Sequence, residues 1–245
     1  MVDQRSSIPD GLAAVLNQGA PVVPRRAATV LLVDAAAPPW RLLMMRRPTG
    51  ADFAPGAYVF PGGSVHAEDA ELGDVDRAAA VRELFEEVGI LLARRPDGRF
   101  VRDRECVRLR ERLEGGAGWT AALRELGLAP ALDRLAFLSR WITPEAVSRR
   151  FDTRFYVARR PAGQTIHPQP GEVVDWLWIA PSAALAPDGP TLVHATRRVL
   201  ESVAGEPDAA RLIARLRRRP ETPPVTPRVV RRPEGGFEVV DEPGG

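Results

Sequence analysis

The most constraining feature of the sequence is a short helical pattern, RELFEEVGI, at residues 82–90. Apolar side chains recur there at the spacing of one helical face, namely Val81, Leu84, Phe85 and Val88. Glu83, Glu86 and Glu87 are spaced i, i+3 and i+4, so their carboxylates share the opposite face. Like charges this close repel one another, and a divalent cation would remove the repulsion. The pattern therefore predicts an amphipathic helix whose carboxylates face either solvent or a metal ion.

The segment upstream predicts how the chain enters this helix. Residues 57–63, AYVFPGG, have the character of a strand that Gly62 and Gly63 end in a turn. A loop rich in acids follows, and helical periodicity begins at about Arg77. Gly89 fits the left-handed residue that commonly ends a helix. We therefore expect a strand, a glycine turn, a loop and the acidic helix, in that order.

This arrangement resembles the Nudix box, in which a glycine and a spaced glutamate precede the pattern Arg-Glu-apolar-x-Glu-Glu-x-Gly-apolar. The residues that match the second half of that pattern are Arg82, Glu83, Leu84, Glu86, Glu87, Gly89 and Ile90. The first half departs from it, because the interval from Gly63 to Arg82 is about five residues longer than in the short form of the pattern. The counterpart of the spaced glutamate therefore stays open among four loop acids, Glu68, Asp69, Glu71 and Asp74.

The chain is also similar to the Nudix branch that contains coenzyme A and acyl-CoA diphosphatases. The elements that carry this likeness are Leu42–Leu43 with Arg46 or Arg47, then Gly56, residues 60–63 (FPGG) and Asp69. His66 stands where many members of the branch carry an acid. The resemblance covers about residues 27–186.

The resemblance implies a metal-dependent hydrolase that cleaves the pyrophosphate of a nucleoside diphosphate linked to a group X. Mg²⁺ or Mn²⁺ would be the cofactor, with Glu83, Glu86 and Glu87 as ligands and Arg82 orienting them. Coenzyme A or acyl-CoA is the first choice of substrate, giving adenosine 3′,5′-bisphosphate and (acyl) 4′-phosphopantetheine. The alternatives are ADP-ribose, NADH or a dinucleoside polyphosphate as substrate, and a catalytically silent Nudix module that binds nucleotides as a sensor.

Five further positions have both a functional and a structural interpretation. Glu172 is a candidate distal acid at the start of a late strand, or a turn residue after Gly171. Arg46 and Arg47 could contact substrate phosphates, or form a solvated strand end. The backbone of Gly62 and Gly63 could contact phosphate, although shaping the turn is the simpler role.

Strands and helices alternate irregularly, which favours an α/β (α+β) domain, and the resemblance implies an α/β/α sandwich with a mixed sheet. Strands are predicted at 27–34, 41–47, 57–63, 135–144, 153–160 and 172–180. We expect an N-terminal extension at 1–26, a hydrolase domain at 27–186 with a helical insertion at about 102–134, and C-terminal helices and a tail at 187–245. RVVRR and FEVV flank PEGG in that tail, which predicts a terminal hairpin.

Composition narrows the class of protein. The chain is 44% hydrophobic and 27% charged, as in globular proteins, and its net charge of +2 gives no reason to expect nucleic acid or a membrane as partner. A single cysteine, Cys106, excludes an internal disulfide framework. No secretory leader is visible, so we expect a cytoplasmic enzyme with a small nucleotide-derived substrate. The resemblance also allows a homodimer.

Overall fold

The structure is a computed structural model that describes residues 16–17, 19–36, 38–51, 54–231, 233 and 236–241. Its strands are β1 (Arg25–Asp34), β2 (Arg41–Arg46), β3 (Tyr58–Val59), β4 (Gly62–Ser64), β5 (Ala93–Arg94), β6 (Ala129–Pro130), β7 (Ala136–Ile142), β8 (Phe151–Arg159), β9 (Asp175–Ile179), β10 (Arg228–Arg231) and β11 (Phe237–Val240). Its α-helices are α1 (Val75–Val88), α2 (Asp103–Glu114), α3 (Trp119–Glu125), α4 (Pro181–Ala184), α5 (His194–Val203) and α6 (Ala209–Arg218). Short 3₁₀ helices span Ala67–Leu72 and Leu132–Arg134.

A mixed sheet forms the centre of the molecule, as predicted. Its strands run in the order β3-β2-β1-β8-β7, with β4 also paired to β1 and β9 to β2. The central pair, β1 and β8, is parallel, while the remaining pairs in this sheet are antiparallel. Two small two-stranded sheets, β5 with β6 and β10 with β11, lie outside it.

Alternating side chains of the sheet build two cores on its two faces. On one face, Leu43 and Met45 of β2 pack with the apolar stripe of α1 and with α2 and α3. On the other face, Leu42 and Met44 pack with α5 and α6. Because successive residues of a strand point to opposite sides, both cores draw on the same strands. The arrangement is the predicted α/β/α sandwich.

The predicted strand at 57–63 is two strands in the structure. β3 pairs with β2, whereas β4 pairs with β1, so the chain crosses between neighbouring strands at Phe60 and Pro61. Proline has no N–H to donate to a ladder, so pairing is interrupted at Pro61. Its carbonyl still accepts a hydrogen bond from the backbone N–H of Val30. The prediction of a Gly62–Gly63 turn is therefore wrong, since both residues lie within β4.

The C-terminal segment returns to the sheet after α6. The backbone N–H of Val225 donates to Arg140, and Ile142 donates back to Val225, which places this residue beside β7. The predicted hairpin is confirmed in register, from Arg228 opposite Val240 to Arg231 opposite Phe237. Boundaries at residues 26 and 186 stay a prediction. Among the described residues, no helix combines the length and apolar character needed to cross a membrane.

Candidate active site

The acidic helix of the sequence analysis is the C-terminal half of α1. Asp74 caps its N-terminus by accepting a hydrogen bond from the backbone N–H of Arg77. Gly89 ends the helix at φ 73°, in the left-handed region, as its position predicts. A Cβ at Gly89 would also collide with His167, so the loop between β8 and β9 packs closely against this end of the helix.

Arg82 is the centre of the site and its side chain is fully buried. Nε and Nη2 donate to both carboxylate oxygens of Asp69, at 3.0 and 3.1 Å. Nη1 donates to Glu83 and to Glu86, each at 2.9 Å. Burial by itself would lower the pKa of Arg82, but the hydrogen bond to Asp69 and the surrounding carboxylates raise it above its ordinary value. The guanidinium therefore stays charged and holds three acids in place.

Asp69 is the one of the four open loop acids that reaches this centre. It is completely buried and also accepts a hydrogen bond of 2.7 Å from the backbone N–H of His66. Two of the other acids have different contacts, since Glu71 pairs with Arg124 and Asp74 caps α1. The sequence carried one signal for this contact. His66 precedes the short 3₁₀ helix and Asp69 follows three residues later, which is the spacing of a capping box.

The two glycines of β4 allow the sheet to touch the acidic helix. The backbone N–H of Gly62 donates to the Glu87 carboxylate at 2.7 Å. A Cβ at Gly63 would overlap the carboxylate of Glu83, so only glycine leaves room for that side chain in its present position. Both residues therefore contact the carboxylates directly, in place of the turn that the sequence predicted.

Burial and mutual repulsion make the glutamates hard to ionise. Burial raises the pKa of Glu83 to about 7, although the Arg82 guanidinium acts to lower it. Burial likewise raises the pKa of Glu87 well above its ordinary value, against the backbone hydrogen bond that its carboxylate accepts. The charge of Glu172 adds to the increase at both residues. The pKa of Glu86 is raised as well, again mainly by burial. When they are ionised, these carboxylates carry more negative charge than the single Arg82 guanidinium can neutralise.

Glu172 and Arg47 lie near the carboxylates of α1, whereas Arg46 points away from them. Glu172 lies in a turn three residues before β9, close enough for its charge to act on Glu83 and Glu87. The charge of Arg47 likewise acts on Glu87. Arg46 points to the other face of the sheet, where its Nε donates to the carbonyl of Gly56. The prediction that Glu172 opens the strand is wrong, since β9 begins at Asp175.

The donor set suits a hard divalent cation such as Mg²⁺ or Mn²⁺, which prefers carboxylate oxygens. In the described part of the chain, no three metal-ligating side chains already converge on one point. Glu83 and Glu86 are held by Arg82, and Glu87 by a backbone N–H. The side chain of Glu86 is 41% exposed, so it has room to turn toward a cation in exchange for its hydrogen bond to Arg82, which would relieve the repulsion described above.

Comparison with known proteins finds two family models that match the chain. The family model described as the NUDT19 Nudix domain matches residues 72–187, and that of the NUDIX domain matches residues 23–112. Both models describe a Nudix domain, and together they match residues 23–187 of this chain. A solved Nudix hydrolase from Alicyclobacillus acidocaldarius superposes with a TM-score of 0.69 at 27% identity, covering 79% of this chain and 96% of that one. The predicted resemblance to Nudix domains and the predicted fold are thereby confirmed.

Two curated relatives are similar to this chain over part of their length. "Putative nudix hydrolase 7" of Caenorhabditis elegans is 35% identical over 157 residues, covering 64% of this chain and 52% of the relative. Human "Acyl-coenzyme A diphosphatase NUDT19" is 28% identical over 236 residues, covering 65% of this chain and 62% of the relative. The chain thus spans less than two thirds of the length of either relative.

Proposed function

We propose that this Nudix protein hydrolyses the pyrophosphate bond of coenzyme A or acyl-CoA with the help of a divalent metal ion. The products would be adenosine 3′,5′-bisphosphate and (acyl) 4′-phosphopantetheine. The observation that carries the reaction type is the cluster of carboxylates on α1, in which Glu83 and Glu86 accept hydrogen bonds from Arg82 and Glu87 accepts one from Gly62. The choice of coenzyme A rests on the likeness to the NUDT19 Nudix domain and to an acyl-coenzyme A diphosphatase.

Each residue has a distinct task in this proposal. Glu83, Glu86 and Glu87 would hold the metal, which when bound screens the charge of the pyrophosphate and makes water easier to deprotonate. Arg82 positions Glu83 and Glu86 through Nη1. Arg47, on the same side of the sheet as Glu87, would contact a substrate phosphate.

Two carboxylates are placed to accept the proton of the attacking water. Glu83 is one of them, because burial raises its pKa to about 7 in the metal-free protein, so it can exchange a proton near neutral pH when no cation is bound to it. Glu172 lies beside Glu83 and Glu87 but outside the hydrogen bonds of Arg82, so its carboxylate is available as a base. Replacing each residue with Gln distinguishes the two. If a residue is a general base but not a metal ligand, its Gln variant should lose kcat and keep the metal affinity of the wild type.

The proposal is tested by incubating the full chain with coenzyme A and either Mg²⁺ or Mn²⁺, and identifying the products by mass spectrometry. We expect adenosine 3′,5′-bisphosphate and 4′-phosphopantetheine, and their loss with a chelator. Glu86→Gln and Glu87→Gln should each lower kcat at least ~100-fold, because each removes a charged metal ligand. Glu71→Gln is the matched control, since that acid pairs with Arg124 away from the cluster.

A substrate panel separates the alternatives. ADP-ribose, NADH and a dinucleoside polyphosphate contain the same type of phosphoanhydride, so preferential cleavage of one of them would replace coenzyme A as substrate. Binding of these compounds without turnover would instead support a nucleotide sensor. Unchanged turnover in both glutamine variants would overturn the assignment of the metal ligands.

A further inference from the structure

An exposed apolar surface on β9 adjoins the candidate active site. The large apolar side chains that are exposed among the described residues are Val22, Val23, Val107, Val174 and Trp176. Two of these, Val174 and Trp176, are two positions apart, the first just before β9 and the second within it, and Val174 lies two residues after Glu172. They are 56% and 37% exposed, respectively. We call this pair the β9 ledge.

The register of the sheet fixes the side on which the β9 ledge lies. Trp176 pairs with Met45 of β2, so the two side chains are on the same face. Met45 packs in the core beneath α1, and so does Trp178, two residues farther along β9. Trp176 therefore lies on the face of the sheet that carries the carboxylates, while Val174 precedes the strand beside it.

The β9 ledge is also next to the polar groups of the site. The backbone N–H of Val174 donates to the carbonyl of Arg46, which brings Val174 alongside Arg47 on the neighbouring strand. Arg47 and Glu172 both act electrostatically on Glu87. Diagonal neighbours on adjacent strands have Cβ atoms within about 7–8 Å, so Trp176 lies one such step from Arg47.

We propose that Trp176 binds the adenine ring of the substrate by stacking. This inference rests on the proposed function and specifies how the nucleotide half is recognised. An indole on an edge strand offers one flat apolar face with water beside it, which suits a planar ring whose edges carry polar atoms. An acyl chain would need apolar walls on several sides. With its phosphates at Arg47 and the metal ligands, a nucleotide would place its base over Trp176.

Binding of the two reaction products tests the inference independently of turnover, because neither contains a phosphoanhydride. Calorimetry of the full chain in Mg²⁺ would measure the Kd of adenosine 3′,5′-bisphosphate and of 4′-phosphopantetheine. We expect Trp176→Ala to weaken the bisphosphate roughly tenfold or more and to leave 4′-phosphopantetheine unchanged. Trp176→Phe should retain most of the affinity, since it keeps an aromatic face. Val107→Ala, an exposed apolar change on α2, is the control.

The outcomes separate this inference from the proposed function. Unchanged bisphosphate binding in Trp176→Ala, loss of 4′-phosphopantetheine binding instead, or no bisphosphate binding by the wild type would each overturn stacking by Trp176. A change of oligomeric state in Trp176→Ala, seen by light scattering, would assign the β9 ledge to a subunit contact and overturn it as well. Bisphosphate binding that needs Trp176 in a wild type that cleaves no coenzyme A would support the inference and contradict the proposed function.

Discussion

Arg82 keeps a full positive charge with no exposed surface, which requires compensation from every side. Its planar fork supplies Nε and Nη2 to Asp69, Nη1 to two glutamates, and a further Nη2 hydrogen bond to the carbonyl of Ser64. A lysine ammonium has three donors at a single point and could not match this spread of acceptors. The choice of arginine at this position is therefore a geometric requirement of the site.

We predict that Asp69→Asn destabilises the protein by about 3–5 kcal/mol, because it removes one partner of a buried ion pair and leaves Arg82 undercompensated. Urea unfolding followed by circular dichroism would measure the change. Glu71→Gln, whose ion pair with Arg124 is exposed, should change stability by less than about 0.5 kcal/mol. Equal effects of the two substitutions would contradict the central role given to Asp69.

The sequence predicted some of these side chains well and others poorly. The spacing of Glu83, Glu86 and Glu87 showed that they share an arc of the helix, and in the structure they surround Arg82 and β4. Helical periodicity alone could not show that Glu87 is only 6% exposed, since it describes one helix and not the strand that covers it. The sequence also could not single out Asp69 among the loop acids. The loop before α1 is longer than in the short form of the Nudix pattern, so counting residues from Gly63 does not identify the matching acid.

At the level of elements, the site depends on the close approach of β4 to α1. We predict that Gly63→Ala lowers kcat/KM about 100-fold, since the added Cβ displaces the Glu83 carboxylate and small misplacements of catalytic groups have effects of this size. Steady-state kinetics with Mg²⁺ would show the loss. Gly205→Ala is the matched control, because a Cβ at Gly205 meets open space. A Gly63→Ala variant with wild-type kinetics would mean that Glu83 acts from another position.

The segment after α6 covers β7 through Val225. We predict that Val225→Pro lowers the melting temperature, because proline cannot donate the hydrogen bond to Arg140. Val225→Ala keeps that N–H and should retain most of the stability. A melting experiment that ranks alanine below proline would indicate that the side chain, rather than the backbone pairing, attaches this segment.

The elements themselves were largely predictable from periodicity and turn residues, as the match of β1, β2 and α1 to their predicted ranges shows. The division of residues 57–63 into β3 and β4 was not, because it depends on β2 and β1 diverging to accept different partners. Pro61 marks where the pairing is interrupted, but the choice of a different partner strand on each side of it leaves no mark on the local sequence. The late start of β9 has the same origin, since residues 167 and 169 hydrogen-bond to the end of α1 before the strand begins.

For the whole molecule, metal binding and proton uptake compete at the same carboxylates. The pKa of Glu83 is raised to about 7, so below pH 7 a proton must leave before a cation can bind. We predict that the affinity for Mg²⁺ rises between pH 6 and pH 8, roughly tenfold, as measured by calorimetry. Glu83→Gln should bind Mg²⁺ more weakly and with a flatter pH dependence.

The same group predicts the opposite trend for stability without metal. A carboxyl whose folded pKa lies above its unfolded value binds protons more tightly in the folded state, so stability falls as pH rises toward 7. Adding Mg²⁺ should therefore raise the melting temperature more at pH 8 than at pH 6. A shift that is larger at pH 6 would contradict the raised pKa of Glu83.

The reactivity of Cys106 can be used to measure how often α2 separates from the sheet. Cys106 packs in the core at the inner side of α2, and burial raises the pKa of its thiol to about 12. The native thiol should therefore resist iodoacetamide at neutral pH and react only when α2 separates from the sheet. Because it is the sole cysteine of the chain, its alkylation rate reads out that local separation without any labelling mutation.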